Sequence, residues 1–312
     1  DTNNELQDLE KVLGKTANKE NVKYFDKIRA SIGFKHFKKT YDENILDIKG
    51  GLNDVVMNNS PIDINKLIEG TNEILTANRN SLQLFDMLHS MRQFDDLTYV
   101  HSVNVALIAS ILGQWLKFSE KDIRILTISG LLHDIGKIMI PNEILTKPGK
   151  LTVAEYNIMK QHVNFGYEKV KNQNIDIRIK EACLLHHEKC DGTGYPFGLK
   201  SDHIPAVAKI IAIADVYDAM TSARVYRGAL CPFEVIDTMY KDAFTKFEPE
   251  YILPFLKNVA SSYINNDVRL SDGRIGKVVL INENALSLPI VQCEDEFIDL
   301  SKTRELTVSA IL

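Results

Sequence analysis

The 312-residue chain has little cysteine: Cys183, Cys190, Cys231 and Cys293, with no CxxC pair among them. Four such scattered thiols build no disulfide framework, and they favour a reducing compartment, so the cytoplasm is the expected location. Long apolar runs are also missing. The runs over residues 105–112 and 207–214 are broken by Gly113-Gln114 and by Lys209, far short of the roughly 18 apolar residues of a membrane span. Nor is there an excess of positive charge. With 37 basic against 42 acidic residues the formal charge is -5, which excludes a global field able to hold a nucleic-acid duplex and makes any phosphate site local. The sequence starts at Asp1 without Met or a signal-like segment, and an upstream sensor or anchor is kept as an expectation.

What is present is ordinary for a globular protein. A hydrophobic fraction of 45% and a charged fraction of 25% exclude disorder, collagen and a coiled-coil rod as whole-chain readings, and the length suits an enzyme of more than one unit. Residues 1–94 are charged and helix-prone, with Leu6, Leu9, Val12 and Leu13 at helical spacing. Ser60-Pro61-Ile62-Asp63 reads as a turn and cap before a helix closed near Asn78, and a second helix is expected over 81–91. This N-terminal region is assigned to packing, to dimerisation or to signal input, with a plain solvated spacer as the alternative. Residues 95–265 form a nearly continuous helical domain. Its helix starts are marked by Ser119, by a capping box at Thr152 and Glu155, and by Pro205, Pro232 and Pro249. Beyond residue 266 the period changes to short β-rich runs, so residues 266–312 are expected to be a small β element without assigned chemistry. The expected fold is mainly α with a small C-terminal β appendage.

The chemistry is concentrated between His101 and Asp218. Five of the eight histidines lie between His101 and His187, on predicted helices or at their ends, with His133 followed by Asp134 and His186 by His187. Adjacent residues on a helix point about 100° apart, so two short ligands approach one site from neighbouring directions. A carboxylate can offer one oxygen to each of two cations. Asp215 sits in the apolar run Ile210-Ile211-Ala212-Ile213-Ala214, where an unpaired charge would cost roughly several kcal/mol, and the placement favours a ligand. Taken singly, His101 and His162 read more readily as hydrogen-bonded core residues than as ligands, and His36, His89 and His203 are left in that class. Lys137, one turn after His133 if the helix continues, is suited to a phosphate oxygen or to balancing a helix end. Asp218 reads as an acceptor behind Lys137 or a ligand histidine, or as a solvated carboxylate. Arg224 and Arg227 bracket Tyr226 and form either a clamp for phosphate or guanine, or a basic helix end.

These segments together resemble the HD-GYP phosphodiesterases, a branch of the HD metal-dependent phosphohydrolases that hydrolyses cyclic di-GMP. The matching residues are His101-Ser102, Leu132-His133-Asp134-Ile135-Gly136-Lys137, Pro141 with Lys147-Pro148-Gly149-Lys150-Leu151-Thr152, and His162. They continue through His186-His187-Glu188, Asp191-Gly192-Thr193-Gly194-Tyr195-Pro196, Ile213-Ala214-Asp215-Val216-Tyr217-Asp218-Ala219-Met220-Thr221 and Arg224-Val225-Tyr226-Arg227. The resemblance covers about residues 95–265 and implies an HD-type helical bundle.

It further implies that His101, His133, Asp134, His162, His186, His187 and Asp215 ligate metal with Asp134 bridging, and that Lys137, Tyr195, Arg224 and Arg227 contact substrate. Some members hold a third metal through a Glu four residues before the first histidine. Leu97 stands there in this chain, so two metals are expected and not three. Iron or manganese is implied, and an imidazole and carboxylate donor set without thiolate also suits Zn, Co or Ni. The implied reaction is attack by a metal-bridging hydroxide on cyclic di-GMP, giving pGpG and then GMP, with Asp134 and Lys137 as the catalytic pair. Another nucleotide as substrate, or a signalling module that binds without turnover, are the rival readings. Possible partners are a second copy joined through the N-terminal helices and an upstream sensor. Because ligating histidines must be neutral, bound metal is expected to fall as pH drops through about 6.5, the ordinary imidazole range. Metal analysis after equilibration across that range checks this.

Overall fold

The computed structural model describes residues 28–78, 81–91, 97–221, 230–303 and 305–312. The expected helix around Leu6 to Leu13 and the segment carrying Arg224, Tyr226 and Arg227 lie outside them. α1 (Ile32–Asn58) buries Phe34, Phe37, Tyr41, Ile48, Leu52 and Val55 along one stripe, the three-and-four spacing that turns a single helix face toward a core. Asp63 caps α2 (Ile64–Ala77) by accepting from the amides of Asn65 and Lys66. α3 (Ser81–Ser90) follows. α4 (Leu97–Trp115) is apolar on nearly every side, with residues 103–112 all buried. A helix of that kind belongs at the centre.

α5 (Glu120–Leu132) starts at Ser119, whose hydroxyl oxygen accepts from the Asp122 amide. A 3-10 turn (Ile135–Met139) and the one-turn α6 (Asn142–Leu145) lead to α7 (Val153–Met159), opened by the Thr152/Glu155 capping box. Then come α8 (His162–Val170), α9 (Ile177–Leu185) and the second apolar helix α10 (Ala206–Thr221). α11 (Pro232–Asp242) and α12 (Pro249–Ser261) each begin with proline in the first turn, as the sequence predicts.

The chain ends in an antiparallel sheet of order β4-β3-β2-β1-β5, formed by β1 (Asp267–Leu270), β2 (Ile275–Leu280), β3 (Ile290–Cys293), β4 (Glu296–Asp299) and β5 (Val308–Ile311). β4 and β5 are additional to the expected strands. Val268, Val278, Val291, Ile298 and Ile311 join the same buried cluster as the helices, as do the apolar residues of α1 and α2. Behind α10 an aromatic group locks α3, α4, α10 and α12 together. Phe85 stacks on Trp115 at 5.7 Å and meets Tyr217 edge-on, and Tyr217 meets Phe255 edge-on at 5.0 Å.

Glycine at 136 decides how α5 meets α8. A Cβ built there would lie 2.0 Å from the carbonyl oxygen of His162 and 2.4 Å from the Gly166 amide. Backbone contact at this spot carries His162 up to His133 and Asp134. The chain is not helical through Lys137, as the spacing argument supposed. α5 stops at Leu132, with His133 as its C-cap, and the tighter 3-10 turn follows. Gly136→Ala is expected to destabilise the fold by about 1–3 kcal/mol, the usual cost of overpacking, and to loosen metal retention with it. Chemical unfolding together with metal analysis checks both.

Candidate metal centre

Three of the imidazoles at the site are held by backbone carbonyls at helix ends. His133 caps α5 and donates from Nδ1 to the Gly130 carbonyl at 2.7 Å. His162, first residue of α8, donates to Met159 O at 2.8 Å, and His186, the C-cap of α9, to Ala182 O at 3.0 Å. On α4, His101 Nδ1 faces Asp218 Oδ2 at 2.7 Å. Since carbonyl and carboxylate oxygens only accept, these four Nδ1 atoms carry protons; Nε2 of His133, His162 and His186 turns inward with a free lone pair, while His101 Nε2 lies 3.0 Å from Asp215 Oδ1 and hydrogen-bonds it. This is how outer partners orient metal-binding histidines.

The inward atoms form two groups, Asp134 with His162, His186 and His187, and His101 with His133 and Asp215, the ligand atoms of each lying within 4.8 Å of one another. Asp134 stands between them. Its Oδ1 is 3.3 Å from His162 Nε2 and 3.7 Å from His186 Nε2, while its Oδ2 is 3.3 Å from His133 Nε2 and 3.6 Å from His101 Nε2. Asp215 reaches His101 Nε2 at 3.0 Å and His187 Nδ1 at 3.8 Å. All seven predicted ligands are thus together. The fit to metal rests on what this polar cluster leaves unmet: His133 Nε2 and Asp134 Oδ1 are buried without a hydrogen-bond partner. Such groups are costly in a core unless an ion satisfies them.

Charge follows the same logic. Burial pushes His162 down to about 3, against the pull of Asp134, and pushes His133 down as well. Burial and the neighbouring His186 put His187 well below its ordinary value. These three rings are therefore neutral at physiological pH, the form that ligates, and burial moves the loss of metal expected near 6.5 from ordinary imidazoles to lower pH for them. Burial would raise Asp134, but the Lys137 ammonium and His133 hold its carboxyl well below the usual range. Burial likewise works to raise Asp215, and the hydrogen bond and charge of His101 keep it low. His101 goes the other way. Burial lowers it, yet the carboxylates of Asp215 and Asp218 outweigh that and raise it to about 9. Two buried carboxylates on one ring mark this side as a place that attracts positive charge.

Lys137 pairs with Asp134 Oδ2 at the rim, its side chain 22% exposed. Asp218 is buried, and it serves His101 rather than Lys137. Tyr195 stacks on His187, ring centroids 4.7 Å apart and planes 26° apart. Its position comes from the loop after α9. A Cβ on Gly194 would fall 2.4 Å from the Lys189 nitrogen and 2.5 Å from Glu188 Cα, so glycine lets the loop fold back, and the Tyr195 amide donates to His187 O.

Two residues given no role at the sequence level hold this arrangement. Glu188, 4% exposed, accepts from the Phe197 amide with Oε1 and from the Leu199 amide with Oε2. Asn104 donates from Nδ2 to Asp218 Oδ1 at 2.9 Å. Asn104 did leave a signal, being the polar residue between Val103 and Val105 in the apolar run of α4. Glu188 left none beyond its place after His187.

The HD domain family model matches residues 67–251. The chain is a member of the HD domain family. It is 36% identical over 203 residues to cyclic di-GMP phosphodiesterase PA4108 of Pseudomonas aeruginosa, covering 65% of this chain and 49% of that protein. It is 30% identical over 216 residues to 3'3'-cGAMP-specific phosphodiesterase 2 of Vibrio cholerae, covering 68% of this chain and 40% of that one. The chain thus spans about half the length of the curated relatives it matches. Among solved structures, Bd1817, an HDG"Y"P protein from Bdellovibrio bacteriovorus, superposes with TM-score 0.53 at 17% identity over 76% of each chain, a likeness of fold.

Glu188→Gln keeps the shape and one acceptor but cannot accept from both loop amides. Hydrogen exchange at residues 194–199 is expected to speed up by about tenfold, equal to about 1.4 kcal/mol and within the worth of a charged hydrogen bond, while helices remote from the loop exchange as in the wild type.

Proposed function

We propose that this chain is a metal-dependent phosphodiesterase that hydrolyses cyclic di-GMP to pGpG or GMP. The observation that carries the reading is the position of Asp134, one oxygen toward each of two buried donor groups. When bound, a pair of divalent ions would supply Lewis acidity and an activated water, with iron or manganese implied by the family resemblance and Zn, Co or Ni also suited to the donors. His101, His133 and Asp215 would hold one ion, His162, His186 and His187 the other, and Asp134 both. Leu97 offers no donor atom for a third. Lys137 at the rim neutralises charge on a phosphate oxygen. Tyr195 orients substrate beside His187, and Arg224 with Arg227 binds the second phosphate or a guanine.

The likeness to phosphodiesterases named for cyclic di-GMP supports the substrate. The likeness to enzymes named for 3'3'-cGAMP favours that dinucleotide as the second reading. No described helix is long and apolar enough to cross a membrane. With four free thiols, three of them buried, the proposed setting is cytoplasmic. An upstream sensor, or a second copy, would act through the N-terminal helices.

Both dinucleotides are to be offered to protein purified without oxygen and loaded with Fe(II) or Mn(II), products being separated by chromatography and metal measured in the same samples. Hydrolysis of cyclic di-GMP is expected, falling by about a hundredfold or more in Asp134→Ala and in His133→Ala, since losing a ligand costs at least what losing its outer partner does. Faster turnover of 3'3'-cGAMP selects the second reading. Binding without turnover at full metal occupancy overturns both in favour of a signalling module. Arg224→Ala is expected to raise KM with bound metal unchanged.

A further inference from the structure

The hydrogen bonds behind His101 do not end at Asp218. Asp218 Oδ2 takes the His101 Nδ1 proton, and its Oδ1 takes one from Asn104 Nδ2. The amide oxygen of Asn104 then accepts from the hydroxyl of Tyr41 at 2.5 Å. Tyr41 lies on α1 and is fully buried. Asn104 and Asp218 are 2% and 3% exposed. The Tyr41 hydroxyl has a longer contact, 3.4 Å, to the Val100 carbonyl of α4. The carboxylate can only accept, so Asn104 must turn its NH2 toward it, and its oxygen is thereby left facing Tyr41. A hydroxyl proton there fixes the amide, the amide fixes the carboxylate, and the carboxylate holds the His101 ring with Nε2 directed at Asp215 and Asp134.

We propose that Tyr41 is a positioning residue for the metal centre, acting on His101 through Asn104 and Asp218, and that this makes the N-terminal helix a working part of the site. The inference rests on the two-metal reading above. Other contacts seat α1 against the same bundle. Lys169 on α8 donates to Val56 O at 2.7 Å and to Asn59 Oδ1, and Gln173, just after α8, pairs with the Ile62 amide and the Ser60 carbonyl. Both ends of this docking touch elements that carry ligands: α4 bears His101 and α8 bears His162. A signal that shifts α1 along its axis would draw on the Tyr41 hydroxyl and change how His101 is held.

The test compares Tyr41→Phe, which removes one oxygen and keeps the ring, with Tyr99→Phe. Tyr99 lies in the same interface between α1 and α4 and donates to Asn53 Oδ1 at 3.3 Å, outside the chain to His101. Co(II) is titrated into each protein and followed by visible absorption, Mn(II) binding is measured by electron paramagnetic resonance, and the proteins are melted without added metal. Wild type and Tyr99→Phe are expected to take up two ions with the same spectrum. Tyr41→Phe is expected to bind one of the two about tenfold more weakly, the lower end of what outer partners contribute, with shifted Co(II) bands and a melting temperature lower by a few degrees, because the buried Asn104 oxygen loses its partner. Asn104→Ala cuts the same chain from its other side and is expected to weaken that ion equally, the double variant being no worse than either single one. Wild-type affinity and spectrum in Tyr41→Phe overturn the inference alone, as does an equal loss in Tyr99→Phe. A wild-type protein that binds no ion overturns the metal reading and this inference with it.

Discussion

The buried carboxylate of Asp134 is the constraint around which the bundle is arranged. A charge 1% exposed is tolerable only if nearly every neighbour is chosen for it, and here the neighbours come from four separate helices. α4 supplies His101, the end of α5 supplies His133, α8 supplies His162 and the end of α9 supplies His186. None of these contacts is local except that of His133, so the site exists only once the helices have packed. The close approach at Gly136 serves the same centre, because the absence of a side chain lets the 3-10 turn touch the backbone of α8 at His162.

Two helices carry most of the difficulty. α4 and α10 are buried on nearly all sides, and any polar group they hold must find its partner inside the core. Their polar residues solve this by facing one another: His101 and Asn104 from one meet Asp215 and Asp218 from the other. The aromatic group of Phe85, Trp115, Tyr217 and Phe255 fills the space behind, a rigid wall against which the carboxylates are set. The site is therefore preorganised by packing on one side and by backbone carbonyls on the other, and ordering its ligands costs little when an ion enters.

Much of this was legible in the sequence, for identifiable reasons. Caps at Asp63, Ser119 and Thr152 and prolines at 232 and 249 act within one turn, and local chemistry is what sequence reports well. Of the candidate ligands, His133-Asp134, His186-His187 and Asp215 stood out by adjacency or by a charge in an apolar run, whereas His101 and His162 were named only through the family resemblance. The 3-10 turn after His133 was not, because its cause is the backbone of α8, 26 residues from Gly136 at the nearest. β4 was missed because charged ends interrupt its four residues, and β5 because Val308–Ile311 is too short to show a period. Glu188 carried no role in the sequence, because its burial depends on a loop folding back over it.

Tyr41 shows why the N-terminal helices looked empty of chemistry. Its spacing with Phe37 and Ile48 is that of a core stripe, and it is a core residue; the phenol ring satisfies that role completely. The hydroxyl is what distinguishes it, and its partner lies 63 residues away on another helix. A hydroxyl carried to the centre of a bundle must meet an acceptor or pay the cost of going without, and the nearer of its two acceptors, ahead of the Val100 carbonyl, is the amide that already serves Asp218. Packing the N-terminal helix and orienting His101 are thus one event, and a displacement of α1 that kept every apolar contact would still be felt at the ligand.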